Sequence, residues 1–439
     1  MIVMKFGGSS VKDAEMFLKV AEIVKSKLAQ KPVVVLSAVK GTTDQLIASI
    51  KESIDDNYDA FKKIEENHKR IIKDLNIDQT LVDEELNELK KALEVNSKEK
   101  DQDAKLTDYI SYFGERMSVK ILAALLNKQN TKSESYVSGD IGLLTDSNFG
   151  DATILEDSPN KLKDFINKLD LIPVITGFGG KDKRGEFTTF NRGGSDYVAA
   201  LIGDAIDAEE IQIWTDVNGI MSSDPRLVDN AKTIPELSFD EASELAYFGA
   251  KVLHPKTILP AIEKNIPVLV LNTFEPDNKG STIVKTCQKN CDEFIKAISY
   301  KKGITIIDFK STRMIDAHGF LLKIFELFEK YKKPIDMIAT SEINVSMSVD
   351  SKEDLDKITK ELKDISRINI LENQAIIYVV GTGMKNKPGS AGRIFQILGK
   401  NNINVGLISQ CSEEVSVGFV VDEKDAEKAV KVLHKELIK

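Results

Sequence analysis

Lys5-Phe6-Gly7-Gly8-Ser9-Ser10 sets a cation and two glycines where an apolar start, Ile2-Val3-Met4, gives way to a helical pattern. Such a junction is built to hold phosphate. Glycine lets the backbone approach an anion, a helix start presents unpaired N–H groups, and lysine adds a mobile positive charge. It is not a Walker A loop, because the lysine precedes the glycines and no Gly-Lys-Ser/Thr end follows. Five further polar segments accompany it. Ser37-Ala38-Val39-Lys40-Gly41-Thr42-Thr43 follows the apolar run Val33 to Leu36, which puts hydroxyls and a glycine at a strand's C-terminal edge, where α/β sheets bind ligands. Gly114-Glu115-Arg116 interrupts an otherwise amphipathic helical pattern. Asn191-Arg192-Gly193-Gly194-Ser195-Asp196 stands before the helical run Tyr197 to Ile202 as a second anion-binding helix start. Trp214-Thr215-Asp216-Val217-Asn218-Gly219 closes another strand and leads to Ser222-Ser223-Asp224-Pro225-Arg226; Gly249-Ala250-Lys251-Val252-Leu253-His254-Pro255 comes last. Each alone has a structural alternative: Gly193-Gly194 a turn, Asp224-Pro225-Arg226 a β-turn with a solvated arginine, Glu115 an exposed helix residue, His254 a structural histidine. Jointly, their order and their placement at strand ends are hard to explain that way.

The elements that must position these residues are legible as periodicities. Val33 to Leu36, Leu171 to Ile175, Ile211 to Trp214 and Val268 to Leu271 are continuous apolar runs between helical patterns, which implies a mostly parallel sheet covered on both faces. A highly charged stretch from about Lys51 to Lys105 carries Ile54, Phe61, Ile64, Ile71, Leu75, Leu86, Leu89 and Leu93 at near-helical intervals and reads as a helical insertion beside the sheet. Glu275 to Ser281 has linker and turn chemistry, and the pattern changes after it. From Gly303 two β-α-β-β-α blocks follow one another. The first runs Ile304 to Phe309, Gly319 to Tyr331, Ile335 to Ala339, Asn344 to Asp350 and Lys352 to Lys363, and the second Ile376 to Val380, Ser390 to Lys400, Val405 to Ser409, Val415 to Asp422 and Asp425 to Leu437. Phe325 and Phe395, Ile338 and Ile408, and Ser346 and Ser416 match at a period of roughly 70 residues. The first block is followed by a further strand-like piece, Arg367 to Leu371, whereas the second stops at its helix. A spare strand, Phe294 to Ser299, lies ahead of the first block and is expected to complete the second block's sheet.

Composition bounds the partners. A chain of 439 residues exceeds one typical domain, and 42% hydrophobic with 29% charged residues is ordinary for a globular protein. A formal net charge of -9 leaves no basic footprint for nucleic acid or a membrane surface. No apolar run approaches the ~18 residues of a membrane span, and the N-terminus moves straight into a strand rather than a signal peptide, so the expectation is a cytoplasmic protein. Three cysteines make no disulfide framework, and Cys287 with Cys291 lacks the further ligands of a zinc site. Four histidines argue against a His-based hydrolase.

Taken together, Lys-Phe-Gly-Gly at the start, then Arg-Gly-Gly-Ser-Asp, Trp-Thr-Asp-Val, Asp-Pro-Arg and Phe-Gly-Ala-Lys-Val-Leu-His-Pro in order, resemble the aspartokinases of the amino acid kinase family. These enzymes phosphorylate the side-chain carboxylate of aspartate and carry paired regulatory ACT domains, and the resemblance covers nearly the whole chain. It implies a three-layer α/β/α kinase fold over residues 1–293, with the insertion at about 51–105. Two ferredoxin-like α+β domains would follow, at 303–372 and at 373–439, the latter completed by 294–302. Lys5 and Asp196 would be catalytic, with Asp196 holding the lysine. Aspartate would be gripped by Thr43, Glu115, Arg192 and Ser195. Arg192 supplies a bidentate fork for an α-carboxylate and Glu115 a counter-charge for an α-amine. Nucleotide would meet Lys5, Gly7, Gly8, Ser37, Gly41, Thr215, Asp216, Met221, Arg226 and Lys251; Met221 stands where some relatives carry tyrosine. The implied co-substrate is ATP with Mg²⁺ bridging its phosphates and no dedicated protein metal site.

An aspartate side chain, with an ordinary pKa of ~3.9, is already ionised at neutral pH, so its attack on a γ-phosphate needs no general base. The reaction needs instead cancellation of repulsion and in-line positioning. In the repeats, Met314, Gly319, Phe320, Leu321, Ile335, Asp336, Thr340, Ser341 and Glu342 match positions that form the effector pocket in lysine-sensitive relatives. Asp336 and Glu342 suit the ammonium groups of a diamino acid, so lysine is favoured over threonine, although Ala317 replaces a serine of some lysine-sensitive relatives. A homodimer or dimer of dimers through the ACT domains is implied. The competing readings are a kinase for glutamate, acetylglutamate, carbamate or UMP, and a non-catalytic amino acid sensor.

Overall fold

Runs of Val, Ile and Leu without alternating polar residues become inner strands: Ile2–Phe6, Pro32–Leu36 and Ile172–Thr176 are buried at every position. The structure, a computed structural model, describes residues 1–99, 103–191, 193–248, 253–287, 294–311, 319–364, 366–385, 387–410 and 415–438. It divides into two units. One comprises Met1–Ile220, Pro235–Phe239 and Val252–Thr286, the other Met221–Ile234, Asp240–Lys251 and Cys287–Lys439.

The first unit is built on an eight-stranded sheet in the order Ser133–Tyr136, Ile172–Thr176, Pro32–Leu36, Ile2–Phe6, Glu210–Thr215, Val268–Asn272, Ser281–Val284 and Glu236–Ser238. All neighbours are parallel except the pair Val268–Asn272 and Ser281–Val284. The chain builds the sheet from Ile2–Phe6 outward through Pro32–Leu36 on one side and later returns to add Glu210–Thr215 on the other, which makes the C-terminal end of Ile2–Phe6 the topological switch point where open α/β sheets bind ligands. Alternation along this strand decides what Lys5 can reach. Ile2, Met4 and Phe6 join the core under the helices Ala14–Ser26, Asp59–Asp74, Asp83–Glu99 and Phe113–Lys128. Val3 and Lys5 therefore point to the other face, against the helix Gly194–Ala205.

The charged stretch folds as the expected helical insertion, and its apolar stripe, including Ile64, Ile71, Leu89 and Leu93, is buried in that same core. Buried Glu85 fastens it to the site helix through Lys120 at 2.5 Å and Arg116 at 3.6 Å; Arg116 also pairs with Glu88 at 2.8 Å. Two readings of the sequence need correction. The helical pattern breaks at Tyr112, not at Gly114: Ala104–Ser111 ends there and Phe113–Lys128 begins, so Glu115 lies in a first helical turn. Tyr112 is fully buried, and its hydroxyl is held by Ser138 (2.6 Å), Thr176 (2.7 Å) and the Gly179 carbonyl (3.2 Å). Glu275 to Ser281, read as linker and turn chemistry, forms a turn and not a linker. It turns Val268–Asn272 back into Ser281–Val284, a strand of the same sheet.

The second unit contains the expected repeat, folded as one antiparallel six-stranded sheet in the order Met337–Thr340, Asn344–Val349, Ala297–Lys310, Arg367–Val380, Ser416–Asp422 and Leu407–Gln410. Its two central strands are 14 residues long and serve both copies. Ala297–Lys301 pairs with Ile376–Val380, whereas Ile306–Lys310 pairs with Arg367–Leu371. The pairing slips between Lys301 and Ile306, at the left-handed residues Gly303 and Asn373, one in each copy. Helices Phe320–Lys330 and Leu355–Leu362 close one core; Ser390–Lys400 and Glu423–Leu437 close the other.

The hairpin at the end of the first sheet offers a direct stability test. Gly280 has φ +61° and a Cβ there would fall 2.0 Å from the Val270 carbonyl oxygen. Gly280→Ala is expected to lower unfolding stability by more than about 1 kcal/mol in urea denaturation; an unchanged midpoint contradicts this geometry.

Candidate active site

Three backbone hydrogen bonds carry the parallel ladder past the strand ends and set the site loops side by side. Gly7 N–H donates to the Trp214 carbonyl (3.1 Å), Ser37 N–H to that of Phe6 (3.1 Å), and Gly177 N–H to that of Leu36 (2.8 Å). Above them opens a cavity of about 350 Å³ lined by Lys5, Gly8, Ser37, Gly41, Thr43, Glu115, Ser195 and Asp196, all singled out in the sequence. Ala38, Val39, Lys40, Asp44, Phe178, Gly193 and Gly194 complete its wall. Helices Thr42–Ser53 and Gly194–Ala205 both start here, after Gly41 and Gly193, with no side-chain cap. Apart from Thr42 and Asp196, whose N–H groups donate to the Val39 and Gly193 carbonyls, first-turn N–H groups there can meet an anion.

Lys5 Nζ lies 2.5 Å from Asp196 Oδ1, and the two side chains retain only 11% and 12% of their exposure. Opposite charges so close in a largely dry setting interact far more strongly than at a surface. Glu115 is the other buried charge. Its Oε1 accepts the Ala38 N–H at 3.0 Å, while Oε2 has no partner. Burial pushes its carboxyl up to about 7, against the opposing Ala38 N–H and the charge of Lys5. A buried carboxylate with one oxygen unmet is a receptor for a cation, and a lysine held beside two helix starts is a receptor for anions. The cavity can thus take a zwitterion and a phosphate together.

Other residues singled out in the sequence lie elsewhere. Thr215 and Asp216 end the strand beside Ile2–Phe6, with Thr215 Oγ1 donating to Asp216 Oδ1 at 3.2 Å, and they do not line the cavity. Gly7 is next to it: a Cβ there would lie 3.6 Å from Lys5 Nζ. Met221 and Arg226 belong to the second unit, where Asp224 grips the Arg226 guanidinium at 2.8 and 3.0 Å. Arg192, Lys251 and Met314 lie outside the described residues. In the first repeat, Gly319 caps the helix Phe320–Lys330, Phe320 is buried and Leu321 is 39% exposed. Ile335 and Asp336 lead into Met337–Thr340, and Ser341 and Glu342 form the exposed turn after it. The Asp336 carboxylate already holds an ammonium, that of Lys301 at 3.4 Å.

Sequence reasoning missed Lys40, Asp44 and Phe178 as site residues. Lys40 was in plain view inside the Ser37 to Thr43 stretch. Phe178 is a non-glycine residue at φ +71° between Gly177 and Gly179, just past a strand, and an aromatic flanked by glycines at that place was the available signal. Among the described residues no group of three or more His, Cys, Asp or Glu could hold a metal ion, and no helix is long and apolar enough to cross a membrane.

A parallel sheet with a cation at its switch point and a pair of uncapped helix starts is an anion-binding site of an open α/β fold, and the comparisons name the family. Residues 1–272 match the model of the amino acid kinase family, and residues 377–437 match an ACT domain. Aspartokinase 3, chloroplastic, of Arabidopsis thaliana is 38% identical over 98% of this chain and 80% of that protein. Lysine-sensitive aspartokinase 3 of Escherichia coli is 32% identical over 99% of both. The solved structure of Clostridium acetobutylicum aspartate kinase superposes with a TM-score of 0.86 at 32% identity, covering 100% of each chain. That of E. coli aspartokinase III with aspartate and ADP gives 0.83 at 28% identity, again over 100% of each. The chain belongs to the aspartokinases of the amino acid kinase family, and is an enzyme.

Glu115 has a consequence for stability. Between the ordinary carboxyl value of 4.5 and about 7 the folded protein holds a proton that the unfolded chain releases. Stability therefore falls as pH rises through that window, and the loss is complete above it. Glu115→Gln is expected to unfold a few degrees higher than the parent at pH 8, with the difference shrinking toward pH 5; a lower Tm at pH 8 contradicts an unmet buried charge.

Proposed function

We propose that this enzyme transfers the γ-phosphoryl group of ATP to the side-chain carboxylate of L-aspartate, giving 4-phospho-L-aspartate, the first step of biosynthesis of the aspartate-derived amino acids lysine, threonine and methionine. The observation that carries the reading is one cavity that joins an ion-paired Lys5 to an orphaned Glu115 oxygen. Lys5, steadied by Asp196, neutralises charge between the carboxylate nucleophile and the phosphate as the bond transfers. Glu115 takes the substrate ammonium, Arg192 the α-carboxylate, and Thr43 and Ser195 add hydrogen bonds. Ser37, Gly7, Gly8 and Gly41 cradle phosphates; Thr215, Asp216, Met221, Arg226 and Lys251 serve the nucleotide. Mg²⁺ arriving with ATP supplies further charge compensation between phosphates. The solved E. coli aspartokinase III complex with aspartate and ADP supports both substrates.

The domains read as a kinase over 1–293 and two regulatory repeats, 303–372 and 373–439, the second completed by a strand from 294–302. Inhibition by lysine through Gly319 to Leu321, Ile335, Asp336 and Thr340 to Glu342 is supported by one finding. E. coli aspartokinase III has been solved with lysine and aspartate. A dimer through these repeats, alone or doubled, is the assembly that this reading implies.

Hydroxylamine trapping of an acyl phosphate tests the reaction. Aspartate with ATP is expected to give the hydroxamate and glutamate to give none, while Lys5→Ala lowers kcat about a hundredfold or more with the fold retained; turnover of that variant near normal removes Lys5 from the mechanism. In the same assay lysine is expected to inhibit at or below about millimolar concentration, the scale of a ligand gripped by a few charged contacts. Full activity at that level excludes it as the effector.

A further inference from the structure

The segment Met221–Ile234 groups with the C-terminal half of the chain, and its apolar residues Leu227, Val228 and Ala231 are packed into the core of the second repeat. Within it Ser222 is secured at every polar atom. Its N–H donates to the Lys232 carbonyl and its own carbonyl accepts the Ile298 N–H, both at 2.8 Å. Its Oγ accepts the Lys232 N–H at 2.9 Å and meets His434 Nε2 at 2.9 Å. His434 sits on the terminal helix Glu423–Leu437 and is 1% exposed. The neighbouring buried hydroxyls of Ser223 and Ser299 have no hydrogen-bond partner, so they do not hold the turn.

Three residues past Ser223 the same turn carries Arg226. Asp224 takes the Arg226 backbone N–H at 2.9 Å and its guanidinium at 2.8 and 3.0 Å, so the exposed guanidinium moves with the turn rather than freely. We propose that His434 is a positioning residue: through Ser222 it fixes the Ser222-to-Arg226 turn, and with it the direction of the guanidinium assigned above to the nucleotide. The inference rests on the reading of Arg226 as a nucleotide contact. The neighbours of His434 on its helix, Val430, Leu433 and Leu437, are core residues of the repeat, so a shift of that core displaces His434 with it.

The test is a KM split in the full-length enzyme. His434→Leu is expected to raise KM for ATP roughly fivefold, the loss of one neutral hydrogen bond, with KM for aspartate within about twofold of the parent. His434→Gln, which still reaches the Ser222 hydroxyl, is expected to restore the parent value. Ser222→Ala cuts the same bond from the other side and is expected to match His434→Leu, without adding to it in the double variant. Arg226→Ala separates the two layers. If it leaves KM for ATP unchanged, the nucleotide reading fails and the proposal with it; if it raises KM while His434→Leu and Ser222→Ala do not, the anchor alone is overturned. An equal rise in both substrates' KM, or no rescue by glutamine, assigns His434 a merely structural role and also overturns it. Should His434→Leu fail to fold, Ser222→Ala and His434→Gln decide the matter by the same readings.

Discussion

Everything in the first unit turns on bringing a lysine and an aspartate together at 2.5 Å with little water around them. Removing two charges from water costs several kcal/mol each, and their attraction offsets this only at close range and in good geometry. An apolar pair of similar size would serve stability equally well or better. The pair makes sense as a device for holding a cation where anions must meet. That need explains the placement of both partners: Lys5 near the end of a central strand, on the face opposite its apolar neighbours, and Asp196 in the first turn of the helix that covers that face.

Glu115 is the second charge the fold keeps out of water, and it is left incomplete. One oxygen is met by the Ala38 amide; the other waits. Such a group weakens the empty protein above neutral pH and is relieved when a cation arrives, which couples binding to stability. The insertion helices matter for the same reason. Through Glu85 and Glu88 they hold Arg116, the residue next to Glu115, and so steady the helix turn from which the carboxylate projects. In the second unit the two repeats share their long central strands, so neither sheet can slide without disturbing the other.

Much of this was legible in the sequence because the chemistry is local. Lys5, Gly8, Ser37, Gly41, Thr43, Glu115, Ser195 and Asp196 sit at strand ends and helix starts, places that apolar runs and glycines announce, and the cavity collects all of them. The 70-residue repeat was equally plain, since its matching strands and helices recur in register. What escaped depended on long-range pairing. Nothing local to Glu275 to Ser281 distinguishes a linker from a hairpin turn; the difference lies in Val268 to Val270 pairing with Ser281 to Ile283. Tyr112, at the break between two helices, has its hydroxyl held by three partners distant in sequence, and the Lys301–Asp336 and Ser222–His434 contacts span 35 and 212 positions. Phe178 was missed because its left-handed backbone is imposed by its surroundings, not by its side chain.

The central claim is that Asp196 exists to hold Lys5 at the point of phosphoryl transfer. Asp196→Asn keeps the side chain's size and removes its charge, and steady-state kinetics with both substrates varied is the measurement that isolates its role. A fall in kcat of about a hundredfold or more, with KM for ATP and aspartate within a few-fold of the parent, is the result this account predicts. A kcat within about twofold of the parent would contradict it, because a lysine freed from its partner would then transfer the phosphoryl group as well as one held in place.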